Sequence, residues 1–354
     1  MDLPVEPPLR PMLAKATLEL PEGDVLFEPK WDGFRCIVFR DGDEVVLGSR
    51  NDKPLTRYFP ELLDPLRAQL PDRCVVDGEV VVATDHGLDF DALGQRIHPA
   101  DSRVQRLAAE TPASFVAFDL IALGDEDLRE QTFAERRGAL EGIATAWASP
   151  LHLTPCTRDR EQAADWFTRF EGAGFDGVMA KPADGTYESD KRVQWKVKHR
   201  RLADVVVAGY RPHKDGTGVG SLLLGLFDDA GVLHNIGVAS AFTAARRVEL
   251  VEELEPHALR DGDTHPWSDW ARAEAHEQGQ RMPGAPSRWN GSKDLNWFPL
   301  RCDLVAEVAY EALSGMRLRH PARFVRWRPD KDPSQCTYDQ LDEAPPAELS
   351  EIFG

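Results

Sequence analysis

Apolar runs of strand length recur through this sequence, and they constrain its fold more than any other feature. Two of them, "VLFEPKWDGFRCIVFR" and "DEVVLGSR", flank Asp41-Gly42, which is a signal for a β-hairpin. "CVVDGEVVVAT" and "ASFVAFDLIAL" have the length and composition of buried strands. Helical spacing is found in "FPELLDPLRAQL", near 132–144 and near 159–172, and "DFDALGQRI" is predicted to be a short helix. Thr157 or Asp159 is expected to be the N-cap of the helix near 159–172. The first half is therefore predicted to be α+β, with mostly antiparallel strand pairing.

The pattern of apolar runs changes near residue 200. Three short apolar runs with glycine-rich links are followed by an acidic helical segment near 243–257, and then by "LVAEVAYEALS" and "RFVRWRP". Several short strands with one helix are typical of a small β-barrel such as the OB-fold. We predict an N-terminal domain over residues 1–200 and a C-terminal OB-fold domain over residues 201–354.

Length and composition bound the class of protein. A chain of 354 residues agrees with two domains. No apolar run approaches the length of a membrane span, and the start lacks the pattern of a secretory signal, so no membrane association is expected. The five cysteines are odd in number and well separated. They argue against a disulfide framework or a zinc site and suit a reducing cytoplasm.

The charge is acidic overall but unevenly distributed. A net charge of −18 argues against nucleic acid as a partner, because phosphate binding needs lysine and arginine. However, residues 187–214 hold eight Lys/Arg against three acids, and residues 315–331 hold six against one. These segments are either solvated basic faces or binding surfaces for a phosphate-bearing partner.

Charged residues also lie inside apolar strands, where a charge is costly unless it is used. Glu79 lies in "VVDGEVVV", Asp119 in "FVAFDLI", and Asp176 and Lys181 bracket "GVMA". Lys196 and Lys198 alternate in "QWKVK" and therefore share one face of a strand. Each could be a buried ion pair when taken singly. Together they predict a charged pocket that suits phosphates and Mg²⁺, without a Walker A loop.

An ordered series of motifs resembles the covalent nucleotidyltransferase superfamily, and within it the ATP-dependent DNA ligases. The series covers residues 1–340 and reads "KWDGFR", "SRN", "DGEVV", "FVAFDL", "DGVMAK", "WKVK" and "RFVRWRPDK", similar to motifs I, Ia, III, IIIa, IV, V and VI. The short two-domain layout most resembles the small bacterial ligases of the ligase C type. The resemblance implies that the N-terminal domain is the adenylation domain.

The resemblance assigns roles around the nucleotide. Lys30 would attack the α-phosphorus of ATP and carry AMP as a phosphoramide. Glu28 would contact the adenine amino group, and Phe118 would stack on the base. Arg35 and Glu79 would hold the ribose.

Further cations are implied at the phosphates. Arg50 would bind the 5′-phosphate of the nick or the departing phosphates. Lys196 and Lys198 would neutralise the α-phosphate, while Arg328 and Lys331, from the second domain, would orient pyrophosphate.

A divalent metal, Mg²⁺ or Mn²⁺, is expected at Glu79 and Asp176. Many members of the family have Glu where this chain has Asp176. Because Asp is shorter by one methylene, direct ligation of the metal by Asp176 is left open.

The implied activity is the ATP-dependent sealing of 3′-OH/5′-phosphate nicks in duplex DNA, in DNA repair. We expect a monomer in the cytoplasm, associated with the nucleoid, whose partners are nicked duplex DNA and repair proteins of unknown identity. A barrel on a hinge near 200 could present different faces in successive steps. Two alternatives are another nucleotidyltransferase (an RNA ligase or an mRNA-capping guanylyltransferase) and a non-catalytic nucleic-acid-binding module. NAD⁺-dependent ligation is disfavoured, because the cysteine-rich zinc module of those enzymes is lacking.

Overall fold

The predicted strand runs form the framework of the computed structural model, which describes residues 1–50, 53–84, 87–198, 201–260, 262–267, 297–311 and 313–341. The chain divides between residues 199 and 200 into an N-terminal unit and a C-terminal unit. This division lies one residue from the predicted boundary. Residues 342–354, which the prediction placed in the second domain, lie outside the described residues.

The N-terminal unit contains two main sheets. Its strands are β1 (Leu13–Thr17), β2 (Val25–Pro29), β3 (Phe34–Asp41), β4 (Glu44–Ser49), β5 (Arg73–Val81), β6 (Ala83–Thr84), β7 (Gly87–Leu88), β8 (Ser114–Leu123), β9 (Glu126–Asp127), β10 (Leu151–Leu153), β11 (Gly177–Pro182) and β12 (Arg192–Lys198). One sheet has the order β1-β12-β11-β2, and the other has the order β10-β8-β5-β3-β4 with β9 paired to β8. The hairpin predicted around Asp41-Gly42 is the antiparallel pair β3–β4.

The α-helices described in this unit are α1 (Pro60–Gln69), α2 (Phe90–Gln95), α3 (Asp101–Glu110), α4 (Phe133–Ala144) and α5 (Arg160–Arg169). Side chains cap the N-termini of α2, α4 and α5. Thr132 and Glu135 form a capping box before α4. The Asp159 carboxylate accepts from the backbone N–H of Glu161 at 2.8 Å, which confirms one of the two N-caps expected for α5. Helix α3 was not predicted.

Apolar faces of both sheets are buried. Leu47, Leu62 and Phe115 belong to the largest cluster of this unit, which packs helices against the sheet that contains β5 and β8. Phe27, Trp31 and other aromatic residues form a second cluster between β2, β11 and α5. Because β5 and β8 are buried on both faces, they read as continuous apolar runs in the sequence.

Two pairings in this unit are parallel and were not expected. Strand β1 lies in the proline-containing segment before β2, and it pairs in parallel with β12. Strand β10 also pairs in parallel with β8. A parallel partner lies far away along the chain, so local sequence patterns cannot reveal it. The remaining main pairings are antiparallel, as predicted.

The C-terminal unit is a closed barrel with one α-helix, α6 (Ala244–Leu254), among its described residues. Its strands are β13 (Arg201–Pro212), β14 (Val219–Phe227), β15 (Leu233–Ser240), β16 (Phe298–Pro299), β17 (Val305–Tyr310), β18 (Leu313–Ser314), β19 (Arg317–Leu318) and β20 (Ala322–Trp327). The order β14-β15-β20-β17-β13-β16, with an added β14–β13 pairing, closes the ring. This architecture agrees with the predicted OB-fold.

None of the helices in the described parts of the chain is long and apolar enough to cross a membrane.

Candidate active site

Lys30 follows the last residue of β2 and is held through its backbone. Its N–H donates to the carbonyl of Gly177 at 2.8 Å, and its carbonyl accepts from the N–H of Asp176 at 3.0 Å. These two bonds fix the start of β11 against the end of β2. The Lys30 side chain is 20% exposed, and its Nζ donates to Asp176 Oδ2 at 2.7 Å.

Asp176 joins two of the predicted site lysines. Its Oδ2 lies 2.7 Å from Lys30 Nζ and 3.3 Å from Lys198 Nζ. Burial opposes ionisation of this carboxyl, but the two lysines outweigh burial and lower the pKa of Asp176 below its usual value. The structure therefore brings three predicted residues from β2, β11 and β12 into one charged cluster.

Two glycines allow the chain to approach this closely. Gly177 has φ of +131°, and a Cβ there would collide with the carbonyl oxygen of Val197 in β12. Gly33, in the turn after Lys30, lies against the backbone of Val80, and its Cβ would stand 2.9 Å from Glu79 Cγ. The glycine of the Asp32-Gly33 turn is thus required by close packing against β5.

Two cavities share Lys30, Arg35, Glu79 and Met179 in their walls. The larger cavity, of about 290 Å³, is also lined by Arg50, Arg192, Gln194 and Lys196. The smaller cavity, of about 90 Å³, is also lined by Glu28, Trp31, Phe118 and Lys181. We call them the large and the small cavity. The predicted charged pocket corresponds to these two spaces.

The small cavity contains the residues assigned to the base. Glu28 is 2% exposed, and its Oε2 lies 2.7 Å from Lys181 Nζ. Phe118 forms part of the wall, with the Arg35 guanidinium 4.3 Å from its ring centroid. The cations Arg35 and Lys181 therefore contact the residues expected to hold adenine.

Arg35 itself is anchored by a buried acid. Its Nε and Nη2 each donate to the Asp77 carboxylate at 2.6 Å, and Tyr187 donates to the same carboxylate at 2.7 Å. Burial raises the pKa of Glu79 to about 7, an effect that the nearby Arg35 and Lys30 only partly offset.

Several of these residues were missed from the sequence. Gln194 precedes Lys196 by two residues on β12, so the alternation that selected Lys196 and Lys198 could also have selected it. Its buried Oε1 accepts no hydrogen bond from the described residues. Tyr187 gave no such signal, because it lies outside the strand runs. The same holds for Arg137, whose Nη1 lies 3.4 Å from Glu28 Oε1.

Asp119 does not belong to the pocket, and this part of the prediction is wrong. Arg136 Nε and Nη2 donate to its two carboxylate oxygens at 2.8 and 3.0 Å. Both side chains are almost fully buried. The charge inside strand β8 is therefore compensated by a structural ion pair with helix α4.

Arg328 and Lys331 lie in the C-terminal unit, where one carboxylate holds both. Arg328 Nη1 lies 2.9 Å from each Asp204 carboxylate oxygen, and Lys331 Nζ lies 2.8 Å from Oδ2. Gln340 bonds both backbone groups of Asp204, with its Oε1 accepting at 2.7 Å and its Nε2 donating at 2.8 Å. The two predicted pyrophosphate contacts therefore form one cluster with Asp204, which sequence reasoning did not single out.

The donor set near Lys30 suits a hard divalent cation. Among the described residues, no group of three or more His, Cys, Asp and Glu side chains forms a ligand cage. Glu79 and Asp176 are close enough to influence each other electrostatically. Mg²⁺ is commonly bound by one or two carboxylates, with phosphate oxygens and water as the other ligands. These two residues fit that requirement.

Comparison with known proteins identifies the class. The protein-family model described as "ATP dependent DNA ligase domain" matches residues 11–198. The family model described as "ATP dependent DNA ligase C terminal region" matches residues 215–331. A solved Lig E DNA ligase has a TM-score of 0.54 at 18% identity, covering 90% of this chain and 99% of its own, which supports the fold alone. The chain belongs to the ATP-dependent DNA ligase family, which confirms the predicted enzyme class.

Within that family the similarity to bacterial DNA ligase C proteins extends over nearly the whole chain. DNA ligase C of Mycobacterium tuberculosis is 55% identical over 99% of both chains. DNA ligase C2 of Mycolicibacterium smegmatis is 56% identical over 98% of this chain and 97% of its own. The predicted resemblance to the ligase C type is therefore confirmed, and the family decides against an RNA ligase, a capping enzyme or a non-catalytic module.

Proposed function

We propose that Lys30 is the nucleophile of this ATP-dependent DNA ligase. The observation that carries the proposal is the position of its Nζ at the junction of the two cavities, bonded to Asp176, which also binds Lys198. The Nζ attacks the α-phosphorus of ATP, an N–P bond forms, and pyrophosphate leaves as its P–O bond breaks. Arranging these groups in advance lowers the entropic cost of the attack.

The remaining steps transfer the AMP and seal the nick. An oxygen of the 5′-phosphate attacks the phosphorus of the lysyl-AMP, which breaks the N–P bond and returns Lys30. The 3′-OH then attacks the 5′-phosphorus, and AMP leaves. Lys196 and Lys198 stabilise the negative charge that develops on the phosphates, and Arg50 binds the 5′-phosphate or the departing phosphates.

The base and ribose are assigned to the walls of the two cavities. Phe118 stacks on adenine, and Glu28 accepts a hydrogen bond from its amino group. Arg35 and Glu79, which line both cavities, hold the ribose. A divalent metal held by Glu79 and Asp176 would neutralise phosphate charge during the attack.

The DNA substrate is proposed to be a nicked duplex. We propose that the protein acts as a monomer in the cytoplasm, associated with the nucleoid. Clustered Lys/Arg residues at 187–214 and 315–331 support contacts with the phosphate backbone. A role in DNA repair, with repair proteins as partners, is part of the proposal.

Labelling with α-³²P-ATP tests the nucleophile. We expect Lys30→Ala to lose the covalent AMP label and the sealing of a plain nick, because the proposed N–P bond forms on the Lys30 Nζ. Lys15→Ala is the matched control, since Lys15 is an exposed lysine that lies outside the two basic segments and lines neither cavity. A labelled Lys30→Ala protein, or a wild-type adduct with GTP but none with ATP, would refute the proposal.

A further inference from the structure

A single buried ammonium connects the two residues assigned to adenine. Lys181 Nζ lies 2.7 Å from Glu28 Oε2 and donates to the Phe118 carbonyl at 3.2 Å. The same Nζ lies 4.6 Å from the Phe118 ring centroid and 4.5 Å from that of Phe133. Lys181 is 4% exposed. Its position therefore depends on the side chains of the small cavity rather than on solvent.

A second buried cation reaches the other oxygen of the same carboxylate. Arg137, on helix α4, lies with Nη1 3.4 Å from Glu28 Oε1. Its Nη2 donates to the Thr154 carbonyl at 2.8 Å, and its Nε donates to Glu141 at 2.7 Å. Since the planar guanidinium is held on both other sides, it meets Glu28 from a fixed direction.

The two contacts with Glu28 are unequal. Oε2 has the short ion pair with Lys181, whereas the contact of Oε1 with Arg137 is long for a hydrogen bond. A carboxylate can accept about four hydrogen bonds. Oε1 therefore keeps the capacity to accept from a ligand in the small cavity, which Glu28 lines.

We propose that Lys181 and Arg137 are positioning residues that hold Glu28 as a hydrogen-bond acceptor for the adenine amino group, and that this arrangement selects ATP over GTP. The proposal rests on the proposed function, which places adenine in the small cavity. A carboxylate only accepts hydrogen bonds, and adenine offers an amino donor at its C6 position. Guanine carries a carbonyl oxygen there, so two acceptors would face each other in a buried site.

The two cations explain how the fold tolerates an acid at this position. A carboxylate removed from water is costly to bury unless it is paired and hydrogen-bonded. Lys181 on β11 and Arg137 on α4 supply that compensation from two different elements. If either cation is lost, the Glu28 carboxylate can turn away from the cavity, and the selection of the base weakens.

Self-adenylation kinetics with three nucleotides test the proposal. The nucleotides are ATP, GTP and purine riboside triphosphate, which has only hydrogen at C6. For Lys181→Met and Arg137→Met we expect the preference for ATP over purine riboside triphosphate to fall by about tenfold or more, since one buried hydrogen bond is involved. The change should appear mainly in KM, because base contacts are the same before and during the attack. Lys181→Arg should restore part of the preference.

Arg96→Met is the matched control, because Arg96 is an equally buried arginine that bonds Glu61 and the Tyr58 and Thr111 carbonyls, away from both cavities. It should keep the wild-type nucleotide preference even where it lowers thermal stability. If Lys181→Met does not fold, Arg137→Met and Lys181→Arg carry the test.

The outcomes separate this inference from the proposed function. Variants that form lysyl-AMP with the wild-type nucleotide preference would overturn the role of Lys181 and Arg137 and leave Lys30 untouched. A wild-type protein that takes no AMP from ATP would instead overturn the proposed nucleophile.

Discussion

At the scale of single residues, Asp176 decides how the proposed nucleophile is held. Its carboxylate bonds both Lys30 and Lys198. The short side chain of Asp176 can reach the Lys30 ammonium, because the Lys30 backbone is hydrogen-bonded directly to residues 176 and 177.

Removing this carboxylate should impair the first step selectively. We expect Asp176→Ala to lower the single-turnover rate of lysyl-AMP formation by at least about 100-fold, because a preorganised charged partner is lost. DNA binding should be retained. Rapid-quench labelling with α-³²P-ATP measures the rate, and Asp184→Ala, at an exposed acid after β11, is the control. Equal rates in the two variants would contradict the assigned role.

The sequence signal for the site was a charge in or beside an apolar strand run. The structure places the residues with this signal around the two cavities or in the cluster at Lys30, and their roles stay predictions: Lys30, Glu79, Asp176, Lys196 and Lys198. Asp119 carried the same signal but is compensated by Arg136. A charged residue in an apolar run therefore predicts a buried charge. Whether that charge is structural depends on the residue that pairs with it, which the run does not show.

At the scale of elements, the junction of β2, β11 and β12 positions the charged cluster. Gly177 opens β11, faces Lys198 in the β11–β12 register, and accepts the N–H of Lys30. These pairings join residues far apart in sequence, so strand patterns alone could predict β11 and β12 but not which residues face each other.

Gly177→Ala should damage this junction through backbone strain and a steric clash. We expect a loss of more than about 2 kcal/mol in the free energy of unfolding, together with slower lysyl-AMP formation. Gly23→Ala is the control, because Gly23 has φ of +107° but open space around its Cβ position. It should cost only about 1 kcal/mol. Urea denaturation measures both changes, and equal losses would argue against the clash.

His152, in strand β10, should make the stability of the N-terminal unit depend on pH. Burial lowers the pKa of His152 to about 4, from an ordinary value near 6.5. Between these values the unfolded chain binds a proton that the folded chain does not, so stability is complete above pH 6.5 and falls as the pH drops towards 4. The loss amounts to about 3 kcal/mol at most.

His152→Gln should remove this part of the pH dependence. Urea midpoints of the wild type and the variant between pH 4 and pH 7 give the measurement, and the midpoint of the wild type should fall more steeply with decreasing pH than that of the variant. His98→Gln serves as the control, because His98 lies in the loop before α3 rather than in a strand. A His152→Gln variant with the full wild-type slope would show that His152 does not contribute.

At the scale of the whole molecule, the two units carry separate parts of the proposed chemistry. The N-terminal unit contains Lys30 and both cavities. The C-terminal unit contributes Arg328 and Lys331, which share Asp204 in this structure. The phosphates of ATP would have to displace Asp204 to bind these two cations. Arg328 and Lys331 are therefore proposed to bind phosphate only in the first step, when ATP is present.

Loss of the two cations should therefore separate the steps. We expect Arg328→Ala/Lys331→Ala to form lysyl-AMP at least about 100-fold more slowly, because pyrophosphate loses its charged partners as it leaves. Sealing of a nick that already carries AMP should stay within about threefold of wild type, since no pyrophosphate is formed in that step. Arg260→Ala is the control, because Arg260 is an exposed arginine of the C-terminal unit that lies outside both basic segments. Comparable losses in both assays would mean that these residues act throughout the reaction, through DNA binding or the stability of the barrel.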